Sequence, residues 1–487
     1  MPTSPDPHHA RRWLILAVIG IAQLMVVLDV TIVNIALPSA QGDLGFSDDS
    51  RQWIITAYAL SFGSLLLLGG RIGDLFGRKW TFIGGLIGFS AASAIGGAAD
   101  SFGMLVAARA AQGAFGAILA PSALGLLAAT FTDPAERGKA FGIFGAIAGG
   151  GAAVGLLLGG ILTETLTWRW CMYVNLLFAI PAAVMAFRLL VNRTASGART
   201  KLDVPGAALA TSGLFALVYG FSNSETHSWG HPITIIMLST AVVLLGLFAW
   251  VETRVAHPML PPRVIADRTR GGAYLAIGIA GIAMFACFLF LTYFMQQTKG
   301  FSPIQTGLGF LPMTATIITT SILANVKLLG RFGPRRLLVF GMSMGAIAMV
   351  WFAQIDASSS YVGHILPGLI VLGLGMGNIF APAFSSATYG VDPRDTGVAS
   401  AMVNTMQQVG GSIGTALLSS IFASAASSYA DGRVPTPQLA GEAAVHGYTV
   451  AFAVAACVFA AGALIVGTMM RTVRIKEVDP AAHAVAA

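Results

Sequence analysis

Apolar stretches of about 18 residues or more recur along the whole chain, and they constrain its fold more than any other feature. Each is long enough to cross the hydrocarbon core of a bilayer, roughly 30 Å thick, as an α-helix. Of the 487 residues, 55% are hydrophobic and 10% are charged, whereas a soluble domain carries roughly 25% charged residues. No soluble fold could cover this apolar surface, so we expect an all-α integral membrane protein.

The apolar stretches, divided at charged or turn-rich breaks, predict fourteen membrane spans. They lie near residues 13–38, 52–70, 80–98, 103–130, 141–163, 171–191, 204–222, 233–251, 272–295, 307–326, 337–354, 363–388, 397–425 and 448–470. An apolar run that follows two arginines, Arg11 and Arg12, has the form of a signal peptide. This run is too long for the apolar part of a signal peptide, however, and it contains Asp29. We therefore expect it to be retained as span 1.

The basic residues predict the orientation. With a cytoplasmic N-terminus, 23 of the 28 Lys and Arg residues fall on the cytoplasmic side, which by the positive-inside rule places both termini in the cytoplasm. The preference for Arg over Lys indicates a bacterial source, hence the bacterial cytoplasmic membrane. The net charge of +7 does not indicate nucleic-acid binding, because the basic residues lie in short loops rather than on one face.

Catalytic and metal-binding motifs are absent from the sequence. The three cysteines, Cys171, Cys287 and Cys457, lie in different apolar stretches without the spacing of metal or redox sites. No nucleophile elbow, phosphate loop or zinc motif is found. We expect no enzyme activity and no metal or other cofactor, with protons as the coupling ion. The expected partners are a small-molecule substrate and membrane lipid, and the expected functional unit is a monomer.

Several short patterns occur twice at nearly constant offset, and they predict two parallel halves. The pairs are Asp133-Pro134 with Asp392-Pro393, Gly138 with Gly397, Gly151 with Gly410, Gly155 with Gly414, and Pro121 with Pro382. Parallel repeats about a central axis are typical of transporters. We assign residues 1–192 to an N-terminal six-helix bundle, 193–271 to two inserted linker helices, and 272–487 to a C-terminal six-helix bundle with a short cytoplasmic tail.

Asp29 lies amid apolar residues of span 1, where a carboxylate costs roughly 2.5–3.5 kcal/mol or more. We hypothesise that it carries the transported proton; the alternative is a solvated carboxylate near the outer interface. Arg109 lies inside span 4 and requires acceptors such as carbonyls, Gln112 or a carboxylate. It is either the electrostatic partner in proton coupling or a structural residue that joins spans 1 and 4.

Four segments occur together in a characteristic order. They are Leu28–Pro38 in span 1, Gly70–Lys79 after span 2, Arg109–Gly113 in span 4 and Gly397–Ser400 at the start of span 13. In this combination the chain resembles the fourteen-span drug:proton antiporters of the major facilitator superfamily over nearly all of its length. The resemblance implies proton-coupled export of hydrophobic or amphiphilic drugs, antibiotics or antiseptics. The alternatives are a dedicated exporter of one endogenous metabolite or lipid, and a proton-coupled importer.

The loop after span 2 resembles the signature loop of the superfamily through Gly70, Asp74, Gly77, Arg78 and Lys79. Its glycines allow a tight turn, and Asp74 is suited to face a helix N-terminus. We interpret the loop as a latch between the halves. The alternative, a positive-inside anchor, suits Lys79 but leaves Asp74 and the glycines unexplained.

Span 5 resembles the helix that carries the family's antiporter motif, through Gly151, Gly155, Gly159 and Gly160. Glycines at four-residue steps allow close approach of another helix. The family has a proline after the second of these glycines, where this chain has Leu156, which puts the family's helix kink in doubt.

We expect the substrate cavity to combine apolar and weakly polar side chains, a surface suited to hydrophobic compounds. The predicted cavity residues are Met25, Asn34, Gln112, Phe294, Asn404 and Gln407.

Overall fold

A computed structural model describes residues 11–191, 202–392, 394–434 and 436–471, and these ranges are helical apart from short connections. This outcome is expected in lipid, where backbone polar groups must bond within their own segment. The helices are α1 (Arg12–Leu44), α2 (Asp48–Phe76), α3 (Arg78–Gly97), α4 (Phe102–Thr130), α5 (Pro134–Thr165), α6 (Trp170–Leu189), α7 (Val204–Thr226), α8 (Pro232–Glu252), α9 (Pro262–Ala266), α10 (Arg268–Tyr293), α11 (Pro303–Leu323), α12 (Leu329–Phe352), α13 (Leu366–Thr388), α14 (Thr396–Ala430) and α15 (Pro437–Met469).

Twelve helical segments in the described ranges are long and apolar enough to cross a membrane, or thirteen if the two bent parts of α5 form one span. One of the twelve is the 49-residue segment Ile304–Phe352. Within it, Gly333 has φ 75° and ψ 164°, which interrupts the helix. The all-helical, membrane-spanning architecture is confirmed, and the count of fourteen spans stays a prediction.

The helices form two groups that pack mainly internally. In the first group, α1–α6, the most extensive pairs are α2 with α4, α3 with α4 and α1 with α5; in the second, α10–α15, they are α12 with α13, α10 with α14 and α11 with α13. Two seams join the groups, one formed by α5 against α11 and α13, the other by α14 against α2 and α4. The predicted domain boundary at residue 192 lies outside the described residues.

Helices α7 and α8 form an antiparallel hairpin beside the α2–α14 seam. Gly213 of α7 faces Leu245 of α8, and Gly220 faces Leu238, so small residues allow close contact along the pair. Helix α7 also contacts α2 and α14. Helix α8 lies at the periphery and exposes large apolar side chains, among them Val242 at 72%. Such a surface requires a lipid environment.

The repeated glycines produce the same helix contact twice. Gly155 of α5 faces α1, and a β-carbon there would lie 3.0 Å from the carbonyl oxygen of Leu28. Gly414 of α14 faces α10, and a β-carbon there would lie 2.7 Å from Cα of Ile282. The α1–α5 and α10–α14 contacts are therefore equivalent, as expected for an internal repeat.

Helix α5 bends by 43° between its segments Glu136–Ala152 and Val154–Thr165. Its interior contains no proline. The helix is therefore bent although Leu156 replaces the family's proline. The consecutive glycines 149–151 lie directly before the break. Glycine-rich segments are a common cause of such bends, because they restrict the backbone little.

The α10–α14 contact can be tested with neighbouring glycines. In Gly410→Ala, the added methyl group would overlap the backbone of Gly278, lying 2.8 Å from its carbonyl carbon. We expect α14 to shift from α10 and the melting temperature in detergent to fall.

The matched control is Gly411→Ala, where no atom lies within 4 Å of the added methyl group. Because alanine favours helices more than glycine does, this variant should melt at the wild-type temperature or above it. Equal melting temperatures for the two variants would contradict the packing described here.

Candidate functional site

Asp29 of α1 and Arg109 of α4 form a buried ion pair. Nη1 of Arg109 donates to Oδ2 of Asp29 at 2.5 Å. Asp29 is 0% exposed and Arg109 is 2% exposed. Removing one partner of such a pair leaves an uncompensated buried charge, which is strongly destabilising.

Amide and hydroxyl groups from three helices complete the environment of Asp29. Its Oδ1 accepts from Nε2 of Gln112 at 3.1 Å and from Nδ2 of Asn175 at 2.7 Å. Oγ of Ser93 lies 2.6 Å from Nε2 of Gln112 and 3.3 Å from Nδ2 of Asn175. All three side chains are fully buried. We call Asp29, Ser93, Arg109, Gln112 and Asn175 the carboxylate network; it joins α1, α3, α4 and α6.

The guanidinium of Arg109 has further acceptors besides Asp29. Nη1 also donates to Oε1 of Gln112 at 2.8 Å, and Nε donates to the carbonyl oxygen of Ile54 at 3.4 Å. Its Cζ lies 4.4 Å from the centre of the Tyr58 ring, a cation–π contact. Arg109 thus meets a carbonyl, Gln112 and a carboxylate, the three kinds of acceptor that the sequence suggests.

The hydroxyl of Tyr58 and Oδ1 of Asn175 are buried without a hydrogen-bond partner. A buried unsatisfied polar atom costs about 1–3 kcal/mol. The carboxylate network is therefore not fully satisfied in this arrangement, which lowers the cost of rearranging it.

The glycines of the predicted antiporter motif position α1. Gly151, Gly155 and Gly159 lie on the face of α5 that contacts α1, and a β-carbon at Gly159 would lie 3.2 Å from the carbonyl oxygen of Ile32. Gly160 instead faces α11, and a β-carbon there would lie 3.4 Å from Cγ1 of Ile304. Three of the four glycines thus allow close approach of α1 at the level of Asp29.

Asp74, at the end of α2, binds the N-terminus of α14 in the other helix group. Its Oδ1 accepts from the backbone nitrogen of Gly397 at 3.0 Å, and its Oδ2 from that of Val398 at 3.3 Å. Nη2 of Arg78 also donates to Oδ1, at 3.2 Å. The carboxylate satisfies two unpaired N–H groups and interacts favourably with the helix dipole. It thus faces a helix N-terminus, as the sequence suggests.

The remaining signature-loop residues support this junction or act within the first group. A β-carbon at Gly70 would lie 2.6 Å from Cβ of Ala401 of α14, so only glycine fits there. Gly77 has φ 91°, a left-handed conformation that favours glycine. Nζ of Lys79 donates to the carbonyl oxygen of Phe187 at 2.9 Å, within the first group.

Two arginines that sequence reasoning passed over also join the groups. Nη1 of Arg71 of α2 lies 3.8 Å from Oδ1 of Asp395, which directly precedes α14. Nη2 of Arg137 of α5 donates to Oγ1 of Thr388 of α13 at 2.8 Å. These contacts lie at the end of the bundle where α1 begins and α2 ends, which we call the terminal side. Both seams are closed there.

Along α14, burial decreases away from the terminal side. In α14, residues 396–401 are buried, whereas residues 423–424 and 427–428 are exposed. On α1, Val30 is 45% exposed, and Asn34, one turn further along, is exposed as well. The exposed face of α1 therefore begins one residue from Asp29, although the Asp29 side chain points into the first group.

The predicted cavity residues fall into two sets. Asn34, Asn404 and Gln407 have exposed surface, whereas Met25, Gln112 and Phe294 are buried. Gln112 is one turn from Arg109, and that face of α4 turns toward α1, so the amide of Gln112 belongs to the carboxylate network instead of a cavity wall.

Sequence reasoning missed Ser93 and Asn175 as members of the carboxylate network. Both are polar side chains within apolar spans, which is a signal, since such groups require partners at that depth. Which partner each one meets depends on how α3 and α6 are rotated.

The fold and this arrangement can be compared with known proteins. Residues 19–415 match the model of the Major Facilitator Superfamily. The chain belongs to this superfamily. It is a membrane-spanning transporter and not an enzyme.

Relatives cover nearly the full chain. It is 48% identical over 480 residues to a puromycin resistance protein of Streptomyces alboniger, covering 98% of this chain and 93% of that protein. It is 38% identical to a cephamycin export protein of Amycolatopsis lactamdurans, covering 83% and 84%. The crystal structure of the human organic anion transporter MFSD10 (TETRAN) matches with a TM-score of 0.63 at 16% identity, covering 95% of this chain and 100% of that one. This last likeness shows the fold.

The ion pair can be tested by a double-mutant cycle. Arg109→Met leaves Asp29 without its cationic partner and should reduce stability by about 3–5 kcal/mol. Asp29→Asn combined with Arg109→Met removes both charges and should recover part of that loss. Thermal unfolding of the purified single and double variants measures the coupling.

Tyr58→Phe is the control, because the hydroxyl that it removes has no partner. It should unfold at the wild-type temperature or slightly above. Additive effects of Asp29→Asn and Arg109→Met would contradict the ion pair.

Proposed function

We propose that the chain is a fourteen-span proton-coupled antiporter that exports hydrophobic or amphiphilic small molecules, antibiotics among them, across the bacterial cytoplasmic membrane. The observation that carries the proposal is the buried Asp29–Arg109 pair beside the exposed face of α1. Membership of the superfamily and the likeness to antibiotic resistance and export proteins support it.

The number of spans follows from dividing one segment. Counting α5 as one bent span gives thirteen. The segment Ile304–Phe352 would be about 74 Å long as a single helix, more than twice the hydrocarbon thickness. Dividing it at Gly333, where the helix is interrupted, gives fourteen. An even number places both termini on one side, and the distribution of Lys and Arg indicates the cytoplasmic side.

Coupling follows from the position of Asp29. Protonation of its carboxylate removes the charge that holds Arg109, so the contact between α1 and α4 weakens. Val30 and Asn34 lie on the exposed face of the same helix, so substrate bound there acts on α1 as well. Proton and substrate thereby bias the same helix, which is the requirement for exchange.

The driving force is sufficient for uphill export. One elementary charge moved through 100 mV supplies about 2.3 kcal/mol, to which a pH gradient adds. The exposed Asn34 and the half-buried Asn404 and Gln407 carry no charge, and such side chains suit apolar or weakly polar compounds. The terminal side is closed by Asp74 and Arg71 in this arrangement, and we propose that substrate is released at the opposite end of the bundle.

A dedicated exporter of one antibiotic is the second candidate. It is favoured by the relatives, two of which are named for single compounds, puromycin and cephamycin. A resistance and efflux panel of chemically diverse compounds, with and without an uncoupler, separates the two candidates. Protection against several unrelated compounds favours the multidrug exporter, and protection against one favours the dedicated exporter.

The coupling role is tested by Asp29→Asn. The variant keeps the shape of the side chain but has no titratable group, so uphill export driven by a pH gradient should fall by at least about tenfold, since its proton-linked step is lost. Transport of substrate by proteoliposomes with an imposed pH gradient measures this loss.

The matched control is Asp43→Asn, the same substitution near the C-terminal end of α1. The Asp43 carboxylate is half-exposed and pairs with Arg169, so export should continue near the wild-type rate. Asp29→Asn that still exports uphill with unchanged coupling would refute the assignment.

A further inference from the structure

Two buried carboxyl groups meet at the base of the α7–α8 hairpin. Asp203 precedes α7 and is 8% exposed; Glu252 ends α8 and is 5% exposed. Oδ1 of Asp203 accepts from the backbone nitrogen of Gly206 at 2.9 Å. Oε2 of Glu252 accepts from that of Leu260 at 2.8 Å. One oxygen of each carboxyl group is thus satisfied by the backbone.

The other two oxygens face the same small space. Oδ2 of Asp203 and Oε1 of Glu252 are both buried without a donor. A β-carbon at Gly206 would overlap Oδ2 of Asp203 and lie 2.7 Å from Oε1 of Glu252. The absence of a side chain at Gly206 is therefore what gives the two oxygens room to converge.

Within the described ranges, no Lys, Arg or His side chain forms an ion pair with Asp203 or Glu252. Among the described basic residues that follow Glu252, Arg254 lies over the ring of Trp250, His257 is exposed, and Arg263 binds Asp395. On the neighbouring helices α2 and α14, Arg71 faces Asp395, and Asp74 binds the α14 N-terminus.

We propose that Asp203 and Glu252 form a second proton-binding site, in which one proton is shared between Oδ2 of Asp203 and Oε1 of Glu252. Two ionised carboxylates that converge in a buried space repel strongly, and retaining one proton turns this repulsion into a hydrogen bond. The proton site is independent of the proposed function; its role in transport rests on that function.

The site is connected to the closed terminal side. Glu252 holds the backbone of Leu260, and three residues later Nη2 of Arg263 donates to Oδ2 of Asp395 at 2.8 Å. Asp395 also faces Arg71 and directly precedes α14, whose first N–H groups bind Asp74. The hairpin base, α9 and the α2–α14 seam thus form one chain of contacts.

The direction in which pH changes the closure of the terminal side follows from the charge of the two carboxyl groups. With the shared proton, the base of the hairpin is held together and Arg263 stays on Asp395, so the terminal side is closed. Loss of the proton at higher pH leaves two repelling carboxylates, which separates the hairpin base and weakens this closure. Alkaline pH on the terminal side should therefore favour its opening.

The experiment uses full-length protein in lipid nanodiscs with Asp29→Asn, which removes the other proposed proton carrier. Spin labels are attached at Arg188→Cys on α6 and Arg336→Cys on α12, two exposed positions, after the exposed Cys457 is replaced by serine. Double electron–electron resonance measures the distance between the groups as the pH rises. We expect the ratio of open to closed populations to increase by up to about tenfold per pH unit, because one proton is linked to opening.

Glu252→Gln and Asp203→Asn replace the shared proton by a permanent amide donor. Both should keep the closed distance at every pH and remove the pH dependence. The control Asp267→Asn alters an acidic cap of α10, a role that asparagine also fills, and should retain the pH dependence.

Two results would overturn the proposal: no pH dependence in the Asp29→Asn background, or the same dependence in Glu252→Gln and Asp203→Asn. Infrared difference spectra give a second test, since the protonated carboxyl band should disappear in Glu252→Gln. Failure of the proposed function is distinguishable, because it appears as undiminished uphill export by Asp29→Asn.

Discussion

The structure of the first helix group depends on one buried ion pair, Asp29 with Arg109. Neither charge is tolerable alone at that depth, so α1 and α4 must approach each other, and Ser93, Gln112 and Asn175 must fill the remaining hydrogen-bonding positions. The glycines of α5 then determine how closely α1 can pack from its other side. A charged group that is compensated by one partner is sensitive to the loss of its charge. The same contact that holds the helices together is therefore the one on which the proposed proton coupling depends.

The two groups repeat the same packing but close the terminal side differently. Gly155 and Gly414 produce equivalent helix contacts in the two groups. On the α2–α14 seam, however, the Asp74 carboxylate caps the α14 N-terminus. On the α5–α11 seam, Gly138 packs directly on the backbone carbonyl of Asn325. The α2–α14 seam thus includes a buried carboxylate, whereas the α5 seam combines close packing with the Arg137–Thr388 contact.

The inserted hairpin lies beside the α2–α14 seam. It packs on α2 and α14, and its base carries two carboxyl groups that share one space. With Asp29, the two proposed proton sites lie at different depths. The first lies beside the exposed face of α1, and the second lies at the base of the seam that closes the terminal side.

The amino-acid sequence by itself determined the helical, membrane-spanning architecture, because long apolar stretches satisfy their backbone only as helices in lipid. It also determined that Asp29 and Arg109 require partners, because the cost of a charge in an apolar span depends on local composition. Only the tertiary structure decided which partners they have, and that Gln112 turns to Asp29. It also decided that α5 bends without a proline and that Asp203 and Glu252 converge, although they are far apart in sequence. The physical reason is that the rotation and depth of each helix are set by contacts with all its neighbours at once, and no single segment encodes them.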